Sequence, residues 1–325
     1  MCGLLLAACT PGVDPLKSPL TPKANIQLPV PPAEAGTPSL DLLTVDSRNG
    51  LLYVPYTNTL DIVDTRARKL KGQVANLPGI KSIALSPDPN IVFTANGGNN
   101  SVAVIDVSKL QITAEIKTPL GNPDAMVYDP TNDAIVVGQT GPSPNLAFIA
   151  GTSHKVLGSL KLPSSPELMA IDPQGGRVFL AIHDLDEVLA IDVASRQVKE
   201  TYKGCDIKSP VGLAFDPDQG RLFVANGILH SANVVSAIDV VIDKCLGSID
   251  IGHGPDQAAI NQHRHHLYVA NSGTSNVSVI DTVTLKPLGV NGTGRAAHSV
   301  AADPTTDLVY VGVERAAIIA VYHDP

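Results

Sequence analysis

The hydrophobic and polar positions of this chain alternate in short runs that recur every 40 to 45 residues. Each repeat holds a short apolar strand, a turn, an aromatic strand and an apolar run that often ends in Ile-Asp. Short β-branched runs between turn residues predict β-strands. A repeat of this length predicts an array of similar units, stacked in a line or arranged around an axis.

One turn residue defines the number of repeats. It lies seven places before the Tyr or Phe of the second strand, or before Val136 in the third repeat. We call the seven residues at this place the anchors: Asp46, Ser86, Asp129, Asp172, Asp216, Asn261 and Asp303. Each repeat contains four strand-like runs, and a unit of this size cannot bury both faces of its own sheet. The seven repeats must therefore pack against one another.

Two features favour a closed ring over an open solenoid. Two places before the anchors stand mostly small residues, as expected for first strands that converge on an axis: Thr44, Ala84, Val127, Ala170, Ala214, Ala259 and Ala301. The last repeat lacks a fourth strand, and segment 24–30 could supply it, which would remove exposed sheet edges. We therefore predict an all-β fold: a seven-bladed β-propeller with four antiparallel strands per blade over residues 39–325, closed by an N-terminal strand.

Two segments resemble the YVTN family of β-propeller repeats, in the lactonase-like superfamily. They are LYVANSGTSNVSVIDT (Leu267 to Thr282) and VFTANGGNNSVAVIDV (Val92 to Val107), which match the family pattern in order and spacing. The resemblance extends over nearly all of 40–325 and implies the propeller fold, although the third and seventh repeats lack the Ile-Asp pair. The family consists mostly of scaffolds and sensors, so the resemblance implies little about activity. A WD-type propeller is disfavoured because the chain has no Trp.

The N-terminus is typical of a bacterial lipoprotein. Residues 1–9 contain an apolar run that ends in LAAC, which resembles a lipobox in which Cys9 becomes the acylated first residue of the mature protein. The usual basic segment is missing, which leaves open a start upstream of Met1; a chance apolar N-terminus is the alternative. Residues 10–38 are rich in proline, as in an extended tether. We expect a monomeric cell-envelope protein, periplasmic, outer-membrane or cell-surface, with the lipid anchor as its only membrane contact.

Composition narrows the possible partners. The net charge of −8 makes binding to nucleic acid unexpected. No apolar run is long enough for a transmembrane helix. Cys205 and Cys245 remain after the two N-terminal cysteines, and we expect them at opposite ends of a blade, which disfavours a disulfide between them. No cysteine spacing indicates covalent haem or structural zinc.

Most carboxylates have a structural interpretation. Four anchors begin Asp-Pro pairs, and an Asp ends the third strand in five repeats. We expect these carboxylates to accept backbone hydrogen bonds in turns. The His-Arg-His-His cluster at 263–266 falls in the first turn of the sixth repeat, where adjacent side chains point apart. A surface turn is therefore a better interpretation of this cluster than a metal site.

Ionisable residues recur five places before the anchors, at the entry to each first strand. We call these seven positions the channel-mouth ring: Asp41, Lys81, Asp124, Glu167, Val211, Asp256 and His298. In a closed propeller they surround one mouth of the central channel. The loops of the same face would add His183, His230 and His253.

Carboxylates crowded in this way raise one another's pKa or attract a cation. We therefore predict a ligand-binding site at the ring, in which Asp124, Glu167 and Asp256 could hold a divalent cation such as calcium. The alternative is a solvated rim whose charge is partly neutralised by Lys81. No organic cofactor is expected.

Two functions remain in competition. The first is a non-enzymatic scaffold that presents the channel-mouth face to a small molecule or a cell-envelope protein. The second is a lactonase-like hydrolase in which a carboxylate or His298 at the mouth activates water. No catalytic motif can be mapped residue by residue, since a nucleophile elbow and a Walker loop are both missing. A quinoprotein is disfavoured because such cofactors commonly stack on Trp.

Overall fold

A computed structural model describes residues 18–29, 39–118, 121–227 and 233–325. The predicted signal segment, with Cys9, and most of the predicted tether lie outside these residues. The described strands form seven antiparallel sheets, which confirms the predicted seven-bladed β-propeller. None of the described helical segments is long and apolar enough to span a membrane.

Each blade is built from consecutive strands, numbered from the channel outward. Blade 1 comprises β3 (Thr44–Asp46), β4 (Leu51–Tyr56), β5 (Thr59–Asp64) and β6 (Lys69–Val74). Blade 2 comprises β7 (Ile80–Leu85), β8 (Ile91–Asn96), β9 (Ser101–Asp106) and β10 (Gln111–Lys117). Blade 3 comprises β11 (Pro123–Asp129), β12 (Ala134–Gln139), β13 (Asn145–Ala150) and β14 (Val156–Lys161). Blade 4 comprises β15 (Met169–Asp172), β16 (Arg177–Ile182), β17 (Glu187–Asp192) and β18 (Gln197–Tyr202). Blade 5 comprises β19 (Pro210–Asp216), β20 (Arg221–Asn226), β21 (Val234–Asp239) and β22 (Lys244–Asp250).

The last two blades follow the same plan, with one strand supplied from the other end of the chain. Blade 6 comprises β23 (Pro255–Asn261), β24 (His266–Asn271), β25 (Asn276–Asp281) and β26 (Lys286–Gly292). Blade 7 contains β27 (Ala297–Asp303), β28 (Leu308–Val313) and β29 (Ile318–His323). Three 3-10 turns in the described chain follow second strands, at Gly97–Asn99, His183–Leu185 and Glu314–Ala316.

The N-terminal segment completes blade 7. Two short strands, β1 (Thr21–Pro22) and β2 (Ile26–Gln27), pair antiparallel with the outer edge of β29. The backbone N–H of Lys23 donates a hydrogen bond to the carbonyl oxygen of Val321 in β29, and that of Leu28 donates to the carbonyl oxygen of Ala317, directly before β29. The predicted closure is therefore confirmed. The pairing begins before the predicted segment 24–30.

The apolar cores lie between neighbouring blades. Between blades 2 and 3, for example, Phe93 packs in one cluster with Met126 and Ile135. Seven such clusters follow one another around the ring. A blade therefore buries both of its faces only because it has a neighbour on each side.

Most of the small residues before the anchors do not form the channel wall, contrary to the prediction; Thr44 is the exception. Ala84, Ala170 and Ala214 pack in the clusters between blades. Most of the wall is formed by residues one or two places earlier, such as Ser82 and Met126. The reason is that successive side chains in a strand leave opposite faces of the sheet, so most of the inner strand points at neighbouring blades.

The turn carboxylates accept the hydrogen bonds that the sequence predicted. Oδ1 of Asp129 accepts the backbone N–H of Thr131 at 2.9 Å. Oδ1 of Asp172 accepts those of Gln174 and Gly175. The Asp residues that end third strands bond their turns in the same way.

The histidine-rich turn of blade 6 is at the surface, as predicted, but the prediction missed its contacts with blade 7. His263 Nδ1 and Arg264 Nη2 each lie 3.0 Å from a carboxylate oxygen of Asp307. His266 Nδ1 lies 2.6 Å from Oδ2 of Asp324, which also accepts a hydrogen bond from the Tyr268 hydroxyl. These contacts join the last two blades and hold the C-terminal residues in place.

Cys205 and Cys245 form a disulfide, so the prediction that they lie too far apart is wrong. Their Cα atoms are 5.5 Å apart. Cys205 lies in the link between β18 and β19, which crosses the outer part of blade 5 and places its Sγ 3.6 Å from the carbonyl oxygen of Ala237. Cys245 lies opposite Ile238, beside a β-bulge in β22. Strand counting could not predict the path of this link.

The disulfide should stabilise the propeller. Replacing both cysteines by serine (Cys205→Ser with Cys245→Ser) should lower the free energy of unfolding by about 2–4 kcal/mol, because the disulfide reduces the conformational entropy of the unfolded chain. Denaturant unfolding with and without a reductant measures this. The reductant should destabilise the natural chain and leave the double variant unchanged. An equal response of the two proteins would contradict the prediction.

The buried Asp324 should stabilise the closed ring. The Asp324→Asn variant keeps the shape but loses the charge that Tyr268 and His266 contact, so we expect a loss of about 1–3 kcal/mol in thermal or denaturant unfolding. Asp218→Asn, at an exposed turn residue, is the matched control. Equal stabilities of the two variants would show that the contact is unimportant.

Candidate functional site

The channel-mouth ring lies at the entry to the seven innermost strands. Five of its members are the second residues of their strands: Lys81, Asp124, Val211, Asp256 and His298. The other two lie just before theirs, Asp41 three residues before β3 and Glu167 two residues before β15. At the first five positions the pairing with the next strand shifts register, as at a β-bulge. A bulge changes the direction in which a side chain leaves the strand. These side chains therefore do not follow the alternating directions of the residues later in the same strand.

The ring side chains are close enough to affect one another's ionisation. Burial, with the negative charges of Asp41, Glu167 and Asp124, raises the pKa of Asp256 to about 8. Burial, with the charges of Asp124 and Asp184, raises the pKa of Glu167 to about 7. At neutral pH the mouth therefore holds both protonated and ionised carboxyl groups.

Lys81 neutralises one side of the ring. Its Nζ lies 2.9 Å from Oδ2 of Asp41. Burial by itself would lower the pKa of Lys81, but the charges of Asp41 and Asp124 outweigh it and raise that pKa. Burial and the charge of Asp41 in turn raise the pKa of Asp124. The lysine thus stays protonated against Asp41.

His298 and Asp256 are neighbours on the opposite side. Nδ1 of His298 lies 3.6 Å from Oδ2 of Asp256, too far for a hydrogen bond but close enough for attraction between opposite charges. The two side chains are 20% and 29% exposed, respectively. Both therefore remain accessible from the mouth.

Two of the three loop histidines lie in the described part of the chain. His183 begins a 3-10 turn, and its Nδ1 is buried without a hydrogen-bond partner in the described part of the chain. Its charge acts on Asp186 of the same turn, whose pKa is lowered chiefly by a hydrogen bond from Lys208. His253 Nδ1 lies 2.8 Å from Nδ2 of Asn233. His230 lies outside the described residues.

The ring does not have the geometry of a compact metal site. Among the described residues, no three His, Cys, Asp or Glu side chains are placed to hold one metal ion. Asp124, Glu167 and Asp256 are spread around the mouth, with the apolar Val211 between the last two in ring order. Calcium binding by these three residues therefore stays a prediction.

Gln257 crosses the channel wall directly below the ring, a role that the sequence analysis missed. Its Oε1 accepts backbone N–H groups of Leu43 at 3.1 Å and Val300 at 3.0 Å. Its Nε2 donates to the carbonyl oxygen of Leu43 at 2.9 Å. One side chain thus joins blades 6, 7 and 1. The sequence did contain a sign of this role: Gln257 is a long polar residue at a position where the other blades have Leu, Ala, Ser or Gly.

The cavity in the channel below the ring is small. The cavity there measures about 90 Å³ and is lined largely by apolar side chains, among them Leu42, Met126 and Leu213. That volume holds a few water molecules at most, since each occupies about 30 Å³. A larger ligand of the ring would therefore bind at the mouth and not in this cavity.

Gly212 allows blades 5 and 6 to approach each other beside the ring. A Cβ atom at this position would lie only 2.0 Å from the carbonyl oxygen of Asp256. Because that oxygen belongs to the backbone, it could not move aside easily. Glycine at 212 therefore helps to set the position of Asp256.

Comparison with solved structures supports the fold. A chain of Kuenenia stuttgartiensis hydrazine synthase is 18% identical, with 88% of this chain and 95% of that chain covered and a TM-score of 0.77. A chain of the mitotic checkpoint complex is 13% identical, with 99% and 97% covered and a TM-score of 0.80. Such low identities show the fold alone. No family model and no curated protein matches the sequence, so the resemblance to the YVTN family stays a prediction.

Asp256 should make stability depend on pH. An acid whose pKa is higher in the folded than in the unfolded chain binds protons preferentially in the folded state, so stability falls as pH rises between the two values. For Asp256 that window runs from about 4, the ordinary value, to about 8. Asp256→Asn should therefore gain stability relative to the natural chain over this window, by more than about 1 kcal/mol at its upper end.

Denaturant unfolding at a series of pH values measures this difference. The control is Asp250→Asn, at an exposed residue outside the ring, whose profile should follow that of the natural chain. Parallel profiles for Asp256→Asn and the natural chain would refute the assignment.

Proposed function

We propose that the channel-mouth ring binds an organic cation, and that the protein is a non-enzymatic scaffold whose ligand or partner presents an ammonium group to this face. One observation carries the proposal. Asp124 and Glu167 have no ion-pair partner among the described residues, while Asp256 has only the distant His298. The carboxylates therefore outnumber the cations that the chain supplies.

The contact between Lys81 and Asp41 supports an ammonium ligand. It is a charge-assisted bond at 2.9 Å, formed at the same mouth by the chain's own ammonium group. A second ammonium beside Glu167 and Asp256 would relieve the repulsion that raises the pKa of both. Binding would therefore release protons near neutral pH and weaken as salt concentration rises.

The cellular setting is part of the proposal. We infer that the protein is exported, belongs with the YVTN-type propellers, and is a monomer held at the bacterial cell envelope by a lipid on Cys9. The Cys205–Cys245 disulfide supports export, because such bonds persist in oxidising compartments. A cell-envelope protein with an exposed lysine and a small amine are both suitable partners.

A lactonase-like hydrolase is the second candidate, favoured by the neighbouring His298 and Asp256. A carboxyl group whose pKa lies near 8 can exchange protons near neutral pH, as a general acid or base must. Hydrolysis of a simple lactone by the natural chain, with a loss of activity in Asp256→Asn, would favour this function over the scaffold. Without hydrolysis, the scaffold remains the better interpretation.

The ring should bind a short basic peptide. Calorimetric titration with tetralysine should give a measurable affinity, and tetra-(acetyl-lysine), which lacks the side-chain charges, should not bind. The double variant Asp124→Asn with Glu167→Gln should weaken tetralysine binding by about tenfold or more, because it removes two charge-assisted contacts.

The matched control for this titration is again Asp250→Asn, which should bind tetralysine as the natural chain does. Equal affinity for the charged and the acetylated peptide, or an unchanged affinity in the double variant, would overturn the proposed function.

A further inference from the structure

A second cavity lies between blades 2 and 3, at the opposite end of the strands from the channel-mouth ring. It measures about 310 Å³ and is lined by the anchor turn of blade 2 and by two turns of blade 3. Phe93, Tyr128 and His154 are among the residues that line it. The Phe93 and Tyr128 rings are stacked at 6.2 Å with 25° between their planes, and His154 meets Phe93 edge-on at 6.2 Å.

A fixed carboxylate faces the same space. Oδ1 of Asp133 accepts a hydrogen bond from the Tyr128 hydroxyl at 2.8 Å, and Oδ2 accepts the Thr152 N–H at 3.1 Å. Burial opposes the charged form of Asp133, but these bonds outweigh it and lower the pKa of that carboxyl. A Cβ on Gly151 would lie 2.5 Å from Oδ1, so a larger residue there would displace the carboxylate. Asp88 adds a second carboxyl group to the lining.

The chain itself shows what fills such a groove. Between blades 4 and 5, the repeat places Phe179 where Phe93 stands and Phe215 where Tyr128 stands. There the guanidinium carbon of Arg177 lies 5.5 Å from the centroid of the Phe179 ring, and Phe215 packs on that ring at 5.3 Å. Cation–π contacts of this kind are favourable, and arginine makes them more often than lysine.

The groove between blades 2 and 3 lacks this arginine. Ile91 occupies the position that corresponds to Arg177, five places after the anchor. None of the described residues that line the cavity is Lys or Arg. The aromatic rings are thus present and the cation is missing. The carboxylate differs: Asp172, which bonds Arg177 at 2.9 Å, corresponds to Ser86, and Asp133 supplies the negative charge from the other side of the groove.

We propose that the groove between blades 2 and 3 binds a guanidinium group from another molecule, in the place that Arg177 takes between blades 4 and 5. A planar guanidinium can stack on Phe93 and Tyr128 while its N–H groups donate to Asp133. The site is separate from the channel-mouth ring and does not depend on the function proposed for the ring.

Titration with N-acetyl-arginine-N-methylamide, followed by NMR of the folded protein, tests the proposal. The compound should shift resonances of Tyr128 and His154. The citrulline analogue, which has the same shape without the charge, should not bind. Equal shifts with both compounds would overturn the proposal.

Two variants locate the site. Ile91→Arg copies Arg177, should fill the groove from within, and should abolish binding. Tyr128→Leu should weaken binding by about five- to tenfold through loss of one ring. The matched control, Phe215→Leu in the groove that Arg177 fills, should bind the compound like the natural chain. Unchanged binding in Ile91→Arg, with folding verified by thermal unfolding, would refute the assignment.

The source of the guanidinium can be determined in the same way. A peptide of sequence Gly-Arg-Gly that binds more tightly than the amino-acid derivative would indicate a protein partner, whereas equal affinities would indicate a small guanidinium compound. Asp124→Asn with Glu167→Gln should leave either titration unchanged, which separates this site from the ring. A loss of binding in that variant would assign the signal to the ring and overturn the proposal.

Discussion

The pairing of β1 and β2 with the outer edge of β29 is the contact on which the rest of the structure depends. Without it the outer edge of β29 would be exposed, and the apolar cores on both sides of blade 7 would lose Leu20 on one side and Ile26 and Leu28 on the other. The pairing joins the two ends of the chain, and Gln257 and Asp324 add polar contacts near the same closure. Polar side chains thus distinguish the place where the ring closes from the other contacts between blades, which apolar packing alone would not do.

Closure also produces the chemistry of the mouth. Residues about forty positions apart in sequence, such as Asp124 and Glu167, become neighbours only because seven similar strands meet around an axis. The repeat that stabilises the fold therefore concentrates charge at one end of the channel, and the raised pKa of Asp256 is its electrostatic consequence. The fold tolerates this concentration of negative charge because the mouth is open and Lys81 neutralises part of the charge on one side.

Departures from the repeat are the most informative positions for function. Val211, for example, leaves a neutral gap in an otherwise ionisable ring. Conversely, Arg177 fills its groove and Gln257 seals the wall below the mouth. A propeller offers seven similar environments, so a residue that differs from its six counterparts marks where one environment has been altered.

From the sequence alone, the number of blades, the turn carboxylates and the ring positions could all be predicted. They depend on local periodicity and turn chemistry, which each repeat carries within itself. The Cys205–Cys245 bond, the role of Gln257 and the packing of Ala84 between blades were decided by the tertiary structure. Each depends on the path of a link or on the direction of a side chain between separate repeats. Spacing along a chain does not contain that information, because it requires the angle at which neighbouring sheets meet.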